Sequence, residues 1–145
     1  MKPDGKLLEV QLARLKKAIG QGYDGLELDN MDQSIKAGDQ TAMIDLWNKV
    51  CQATKQLKPS GKCVVKNSIE ILDKVKPDIV IAEIEKNNRE ELAQFANKAG
   101  NKLHAVFYGT VAEAKSACQL AKEKGFKLII ATAKTLSAKT NKCCD

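Results

Sequence analysis

This sequence of 145 residues has few aromatic side chains, few arginines and no long apolar run. Aromatic residues make up 4% of the chain, and its arginines are Arg14 and Arg89. Proteins that bind nucleic acid cluster basic residues beside aromatic rings on which bases stack, so we do not expect a nucleic-acid partner. No stretch approaches the roughly 20 apolar residues that span a bilayer, so we expect no membrane contact.

The sequence also lacks the short motifs typical of nucleotide sites, zinc sites and signal peptides. No glycine-rich loop follows a predicted strand, which argues against a bound nucleotide. The cysteines and the single histidine show no zinc-ligand spacing, so we expect no metal and no other cofactor. The polar start, residues 1–6, has no signal-peptide pattern and slightly favours the cytoplasm, which leaves the compartment open.

Five cysteines are present, an odd number that leaves one outside any disulfide scheme. Cys51, Cys63 and Cys118 fall on apolar positions of predicted elements, which predicts buried thiols. Cys143 and Cys144 lie together in a polar tail. The sequence does not fix the redox state of this pair.

The rest of the composition is that of one soluble domain. A formal net charge of +6 comes mostly from lysines that are interspersed with Asp and Glu along helix faces, a mixture typical of a solvated surface. A chain of this length buries roughly two thirds of its unfolded surface. We therefore predict a single β/α domain over residues 1–145.

Strand-like and helix-like patterns alternate along the chain. Short apolar segments bounded by turn residues predict strands at 23–28, 62–65, 78–82, 103–108 and 126–131. Amphipathic spacing predicts helices at 7–19, 39–57, 69–75, 88–100 and 111–124. Residues 31–38 read as a polar loop, and residues 132–145 as a short helix or loop that fades into a polar tail.

This alternation predicts an α/β fold, a parallel five-stranded β/α unit with right-handed crossovers. Two architectures fit the order of elements. One is an open doubly wound, flavodoxin-like sheet, which periodicity alone favours. The other is part of a TIM barrel, since a whole barrel needs about 200 residues or more.

Polar residues stand at the carboxyl ends of four predicted strands, where parallel α/β proteins assemble their chemistry. For any single acid at such a point, a helix cap or a loop contact is the simpler interpretation. The candidates, in chain order, are Asp29, Asn30, Asp32, Lys66, Asn67, Glu83 and Tyr108.

The sequence also indicates structural or binding roles for four individual side chains. We expect Lys66 to pair with Asp29 or Asp32, because the alternative, a Schiff-base lysine, needs a desolvated pocket. Tyr108 is either a hydrogen-bond donor for a ligand or an interfacial aromatic. His104 lies within a predicted strand and is interpreted as structural. Trp47 has the helical spacing of a core residue.

Four segments together resemble glycoside hydrolase family 114, the endo-α-1,4-polygalactosaminidases. They are Gly-Leu-Glu-Leu-Asp-Asn-Met-Asp at 25–32, Asp-Gln at 39–40, Val-Val-Lys-Asn at 64–67 and Asp-Ile-Val-Ile-Ala-Glu at 78–83. The resemblance runs over nearly the whole chain and corresponds to the later part of the family's barrel. It implies a partial TIM-barrel-like fold, a carbohydrate substrate that contains amino sugars, and secretion.

The resemblance also implies a catalytic pair, Asp29 and Glu83, at one mouth. One carboxyl group would protonate the departing oxygen and the other would stabilise or attack the oxocarbenium-like centre, at a separation of roughly 5 to 9.5 Å. A general acid at Glu83 would have to be buried enough to hold its proton. The same mouth would position substrate through Asn30, Asp32, Lys66 and Asn67.

The family's early strands have no counterpart in this sequence. A partial barrel exposes strand edges, so we expect a homo-oligomer or a second chain that completes it. The alternative function is that of a degenerate, non-catalytic domain that binds a carbohydrate or a protein.

Overall fold

A computed structural model describes residues 5–132, 134 and 140–143. It divides into two compact units, residues 1–79 and residues 80–145.

Helices make up most of the first unit. They are α1 (Gly5–Gly20), α2 (Met31–Lys36) and α3 (Gln40–Leu57). Apolar residues recur every three or four positions along α1 and α3, and α3 packs against both other helices. The helices predicted over 7–19 and 39–57 are confirmed.

The helix α2 lies where the sequence predicted a polar loop over residues 31–38, and that prediction is wrong. Met31 and Ile35 are four residues apart, so a short helix turns both side chains to one side, and both are buried. A pattern of two apolar residues is too short to distinguish such a helix from a loop.

The strand predicted over residues 23–28 is also absent, although the segment lies beside residues 61–62. The amide of Lys62 donates to the carbonyl oxygen of Asp24 at 2.6 Å. A Cβ atom on Gly25 would lie 2.2 Å from the carbonyl oxygen of Lys62, so the two backbones are in close contact. A strand needs a ladder of such hydrogen bonds, and the segment 23–28 has no strand assignment.

The strand β1 (Val64–Lys66) and a 3₁₀ turn (Ile69–Ile71) follow α3 in the first unit. The turn is shorter than the helix predicted over 69–75. The indole N–H of Trp47 donates to the carbonyl oxygen of Val64 at 2.8 Å and so ties α3 to β1. Trp47 is buried, which confirms it as a core residue.

A sheet covered by helices forms the second unit. Its elements are β2 (Ile79–Glu85), which begins at the boundary between the units, then α4 (Arg89–Ala99), a 3₁₀ turn (Gly100–Lys102), β3 (Leu103–Tyr108), α5 (Lys115–Lys124), β4 (Lys127–Ala131) and β5 (Thr140–Lys142). The strands β2, β3 and β4 run parallel in chain order, and β5 pairs antiparallel with β4.

This winding supports the barrel-type interpretation. The order of β2, β3 and β4 in the sheet follows the chain without the reversal that marks a doubly wound fold. The crossover helices α4 and α5 also contact each other, as helices on one face of a sheet do. The α/β class with mostly parallel strands is confirmed, and it is consistent with a partial TIM-barrel-like unit.

Two strand predictions need correction in the second unit. β2 continues past the predicted end at Ala82, because Ile84 extends the alternation of buried residues that includes Val80 and Ala82. The tail predicted as a helix or loop contains β5, which pairs with the edge of β4. An edge strand offers unpaired backbone groups that a passing segment can satisfy, whatever its side chains.

The prediction of buried thiols is wrong for all three of the cysteines concerned. Cys51 bonds to Cys63 in the first unit, and Cys118 bonds to Cys143 in the second, with Cα atoms 5.3 Å and 5.5 Å apart. Cys144 lies outside the described residues. Apolar positions suit disulfides as well as thiols, so burial alone could not separate the two.

Among the described residues, no helix has both the length and the apolar character needed to cross a membrane.

Candidate functional site

The first unit gathers three charged side chains, which we call the Asp29 cluster: Glu27, Asp29 and Lys66. The ammonium nitrogen of Lys66 lies 3.2 Å from Oδ1 of Asp29 and 3.3 Å from Oε1 of Glu27. Lys66 is only 15% exposed, whereas Asp29 is 61% exposed. The lysine is thus packed into the protein and holds an outward-facing carboxylate.

Left-handed backbone conformations set the geometry on both sides of this cluster. Asn30 follows Asp29 with φ at 59°, and Asn67 follows Lys66 with φ at 52°. Asparagine is among the few residues other than glycine that tolerate this region. The amide of Asn30 donates to Oδ1 of Asp29 at 2.9 Å, so the turn itself helps to orient the carboxylate.

These contacts keep Asp29 ionised. The hydrogen bond from Lys66 is the main cause that lowers the pKa of Asp29, and the amide of Asn30 adds to it, while partial burial opposes both. A carboxylate in this state can stabilise a positive charge but cannot act as a proton donor near neutral pH.

The prediction that Lys66 pairs with Asp29 is confirmed, and Glu27 joins the pair. Asp32 pairs with a different lysine. It lies in the first turn of α2, and its carboxylate is 3.8 Å from the ammonium of Lys36. The Lys66 ammonium lies in ion pairs with two carboxylates, whereas a Schiff-base lysine needs an apolar pocket. The Schiff-base alternative therefore loses its physical basis.

In the second unit, Glu83 contacts a tyrosine hydroxyl. Glu83 is half-buried on β2, and the hydroxyl of Tyr108 donates to its Oε1 at 2.8 Å. In the parallel register Glu83 stands beside Val106, and Glu85 stands beside Tyr108. The hydroxyl therefore reaches diagonally across neighbouring strands, from the carboxyl end of β3.

A cleft of about 550 Å³ opens at the carboxyl ends of β2, β3 and β4, and we call it the Lys134 cleft. Its charged and aromatic lining comprises Glu85, Lys86, Tyr108, Glu113 and Lys134. The ammonium of Lys134 contacts the carboxylate of Glu85 and lies 5.2 Å from the centre of the Tyr108 ring.

The other ion pair of the Lys134 cleft joins Lys86 to Glu113, which lies in the turn before α5. The side chain of Glu113 accepts from the amide of Thr110 at 2.8 Å, and the Thr110 hydroxyl accepts from the amide of Glu113 at 3.2 Å. The two hydrogen bonds have the reciprocal pattern of a capping box, but they close a turn ahead of α5, whose N-cap is Ala114 and has no side-chain cap. Lys86 donates to Glu113 at 3.1 Å, and the Thr110 amide and Lys86 together lower the pKa of Glu113.

Sequence reasoning missed Glu27, Glu85 and Lys134. Glu27 and Glu85 each lie two residues from a predicted acid, a spacing that places both side chains on one side of an extended segment. That signal was present for both. Lys134 carried no comparable signal, because it lies in a segment for which no sheet contact was predicted.

His104 lies on β3, half-buried, as expected of a structural residue. Burial is the main cause that lowers its pKa, and the charge of Lys127 adds to the effect. Within the described part of the chain, no group of three or more His, Cys, Asp or Glu side chains is arranged to hold a metal ion.

The predicted site residues thus fall into two sets. The first unit brings Asp29 and Lys66 together, and the second brings Glu83 and Tyr108 together. The convergence of Asp29 with Glu83 stays a prediction.

The comparisons with known proteins gave one finding. The sequence model of glycoside-hydrolase family GH114 matches residues 3–145, nearly the whole chain. No curated protein and no solved structure matches this chain.

Proposed function

Because this chain belongs to glycoside-hydrolase family GH114, we propose that it cleaves a polysaccharide that contains amino sugars, with Asp29 and Glu83 as its two carboxyl groups. Family membership supports glycoside chemistry. The motif at residues 25–32, which resembles that of the polygalactosaminidases, supports the amino-sugar substrate. Most enzymes that cleave glycosidic bonds use two such groups with different protonation states.

The observation that carries the proposal is the contact between Lys66 and Asp29, at 3.2 Å. It keeps the pKa of Asp29 below its ordinary value, so this carboxylate is charged throughout the neutral range. Positive charge develops at the anomeric carbon during glycoside cleavage, and an ionised carboxylate can stabilise or attack it. We therefore assign the anionic role to Asp29.

The proton-transfer role then falls to Glu83. A tyrosine hydroxyl can donate to a carboxylate and accept from a carboxylic acid. The 2.8 Å contact with Tyr108 can therefore persist in both protonation states and hold the direction of the Glu83 side chain. Asn30, Asp32 and Asn67 are proposed as groups that position the substrate.

The first experiment measures release of reducing ends from a galactosamine polymer. We expect Asp29→Asn and Glu83→Gln each to lower the rate by roughly 10²- to 10⁴-fold, because each removes one of the two carboxyl groups. Asp45→Asn and Glu123→Gln are matched controls. They alter exposed acids that contact Lys49 and Gln119, and we expect them to keep the wild-type rate.

A second substrate separates the two roles. A dinitrophenyl glycoside of a galactosamine oligosaccharide has a leaving group that needs no protonation. We therefore expect it to restore cleavage by Glu83→Gln and not by Asp29→Asn. If both variants cleave the polymer at the wild-type rate, the proposed pair is wrong.

The non-catalytic alternative predicts a different result. A wild-type protein that binds the polymer and releases no reducing ends is a binding domain.

We also propose that a second copy or a second chain contributes to the function. Sedimentation and specific activity measured over the same range of protein concentrations test this, and self-association predicts that both rise together.

A further inference from the structure

The Lys134 ammonium lies between the Glu85 carboxylate and the Tyr108 ring, a position that we call the Lys134 seat. These two groups are typical of a recognition site for an organic ammonium group. The Lys134 ammonium contacts the Glu85 carboxylate and lies 5.2 Å from the centre of the Tyr108 ring. A carboxylate beside an aromatic face is the combination that binds organic cations in proteins. The chain therefore already holds one alkylammonium group at this point.

The surroundings are those of a ligand site. The seat lies within a cleft of about 550 Å³, which is inside the range of small-ligand pockets. The cleft opens at the carboxyl ends of parallel strands, the end where such folds bind their ligands. The hydroxyl groups of Thr110 and Thr132 also line it, and hydroxyl groups suit a sugar.

The hold on Lys134 is weak enough to be broken by a competitor. Its side chain is 62% exposed and that of Glu85 is 55% exposed, and ion pairs this exposed contribute little. Glu85 is the main cause that raises the pKa of Lys134, with a smaller effect from the charge of Glu83. The seat thus favours a positive charge without burying the lysine that supplies it.

We propose that the Lys134 cleft binds the ammonium group of an amino sugar between Glu85 and the Tyr108 ring, and that Lys134 occupies this seat until the sugar displaces it. That the ammonium is carried by a sugar rests on the proposed function, whereas the seat rests on the contacts above. While Lys134 occupies the seat, a ligand can bind only to the fraction of molecules in which the seat is open. The apparent affinity is the intrinsic affinity multiplied by that fraction. Removal of the lysine ammonium should therefore tighten binding.

The test titrates methyl α-galactosaminide and its N-acetyl analogue into the protein, with binding followed by NMR. We expect Lys134→Met to bind the amine roughly threefold to tenfold more tightly, and Glu85→Gln to bind it more weakly by a similar factor. Lys49→Met is the matched control, because it removes the same charge from an exposed ion pair that does not line the cleft. It should change the affinity by less than about twofold.

The N-acetyl sugar carries no charge, so its binding should be the same in all four proteins. Equal gains from Lys134→Met and Lys49→Met would overturn the proposal, since they would show only an effect of net charge. The proposal would also be overturned if Lys134→Met gained as much affinity for the N-acetyl sugar as for the amine. An unchanged affinity of Lys134→Met for the amine would have the same consequence. These measurements need no turnover, so a failure of the proposed hydrolysis would leave them interpretable.

The Lys134 side chain gives an independent readout in the wild-type protein. Its ¹³Cε signal, assigned by its absence in Lys134→Met, should shift when the amine is added, because the ammonium leaves Glu85. An unchanged signal at saturating amine would mean that Lys134 keeps its seat, which would also overturn the proposal.

Discussion

The two compact units hold one candidate carboxyl group each, and they hold it by different means. Asp29 lies on an irregular extended segment beside the charge of Lys66. Glu83 lies on a regular strand, receives a hydrogen bond from the Tyr108 hydroxyl and is close enough to Lys134 for the two charges to interact. The ion pair with Lys66 favours the ionised form of Asp29, whereas the Tyr108 hydroxyl can stay bonded to a carboxylate or to a carboxylic acid and so orients Glu83.

The backbone structures that position Asp29 and Glu83 also differ. In the first unit, close backbone contacts at Gly25 and the left-handed turn at Asn30 define the position of Asp29. In the second unit, the register of parallel strands defines the position of Glu83. The first arrangement depends on a few close contacts, and the second is distributed over a ladder of hydrogen bonds.

The largest expected effect concerns the feature that the units share, one disulfide each. Cys51→Ala/Cys63→Ala should lower the free energy of unfolding by about 3 kcal/mol, because the open chain gains entropy when the 12-residue loop is released. Cys118→Ala/Cys143→Ala opens a loop of 25 residues and should cost about 0.6 kcal/mol more by the same reasoning.

Trp47, the single tryptophan, reports unfolding of the first unit by fluorescence, and circular dichroism reports both units. A reductant should destabilise the wild-type protein and leave a variant that lacks the four disulfide-bonded cysteines unchanged. A loss below about 1 kcal/mol in either double variant would show that the corresponding disulfide constrains little.

A second effect, no larger than that of the disulfides, tests how the two units position their carboxyl groups. In Gly25→Ala the new Cβ would meet the Lys62 carbonyl oxygen at 2.2 Å, so backbone must move, and we expect a loss of about 3 kcal/mol. In Gly109→Ala the nearest atoms, at 2.9 Å, belong to the side chains of Glu113 and Phe107, so we expect about 1 kcal/mol. Unfolding in urea measures both losses.

Gly20→Ala is the control for this pair, because nothing lies within 4 Å of its Cβ position. It should leave stability unchanged or raise it slightly. Equal losses in Gly25→Ala and Gly109→Ala would contradict the claim that close backbone packing positions Asp29.

The smallest effect tests how the pKa of Asp29 is controlled. Lys66→Met should raise the pKa of Asp29 toward its ordinary value, because the hydrogen bond that lowers it is lost. The stabilisation from the ion pair is complete above the pKa that Asp29 has in the unfolded chain. It is lost as pH falls through the lower pKa of the folded state, so the two proteins should converge in stability at acid pH.

Carboxyl ¹³C signals followed against pH measure this change directly. Lys49→Met, which removes the partner of the exposed Asp45, is the matched control and should leave Asp29 unaffected. The same pKa of Asp29 in Lys66→Met and in the wild type would show that Lys66 does not control this carboxylate.

Several elements could be predicted from the sequence because their signals are local. The spacing of apolar residues predicted α1 and α3, and the alternation in Leu103–Tyr108 predicted β3 with the bounds that the structure has. The N-cap of α4 is equally local, because the Asn88 side chain accepts from the amide of Glu91, three positions along the chain.

Other features could not be predicted because they depend on distant partners. Residues 23–28 carry the composition of a strand but lack the ladder that would make them one. The tail residues of β5 are all exposed and carry no strand pattern, and the edge of β4 decides their conformation.

The order of residues alone determined the α/β class, the main helices, the strand β3 and the motifs that mark the family. Such signals come from neighbours a few positions apart, which the chain carries into any environment. Only the tertiary structure decided that Lys66 holds Asp29, that Tyr108 meets Glu83, that Lys134 sits beside Glu85 and which cysteines pair. Each of these contacts joins residues far apart in the chain, and its strength depends on distance and burial, which exist only once the chain has folded.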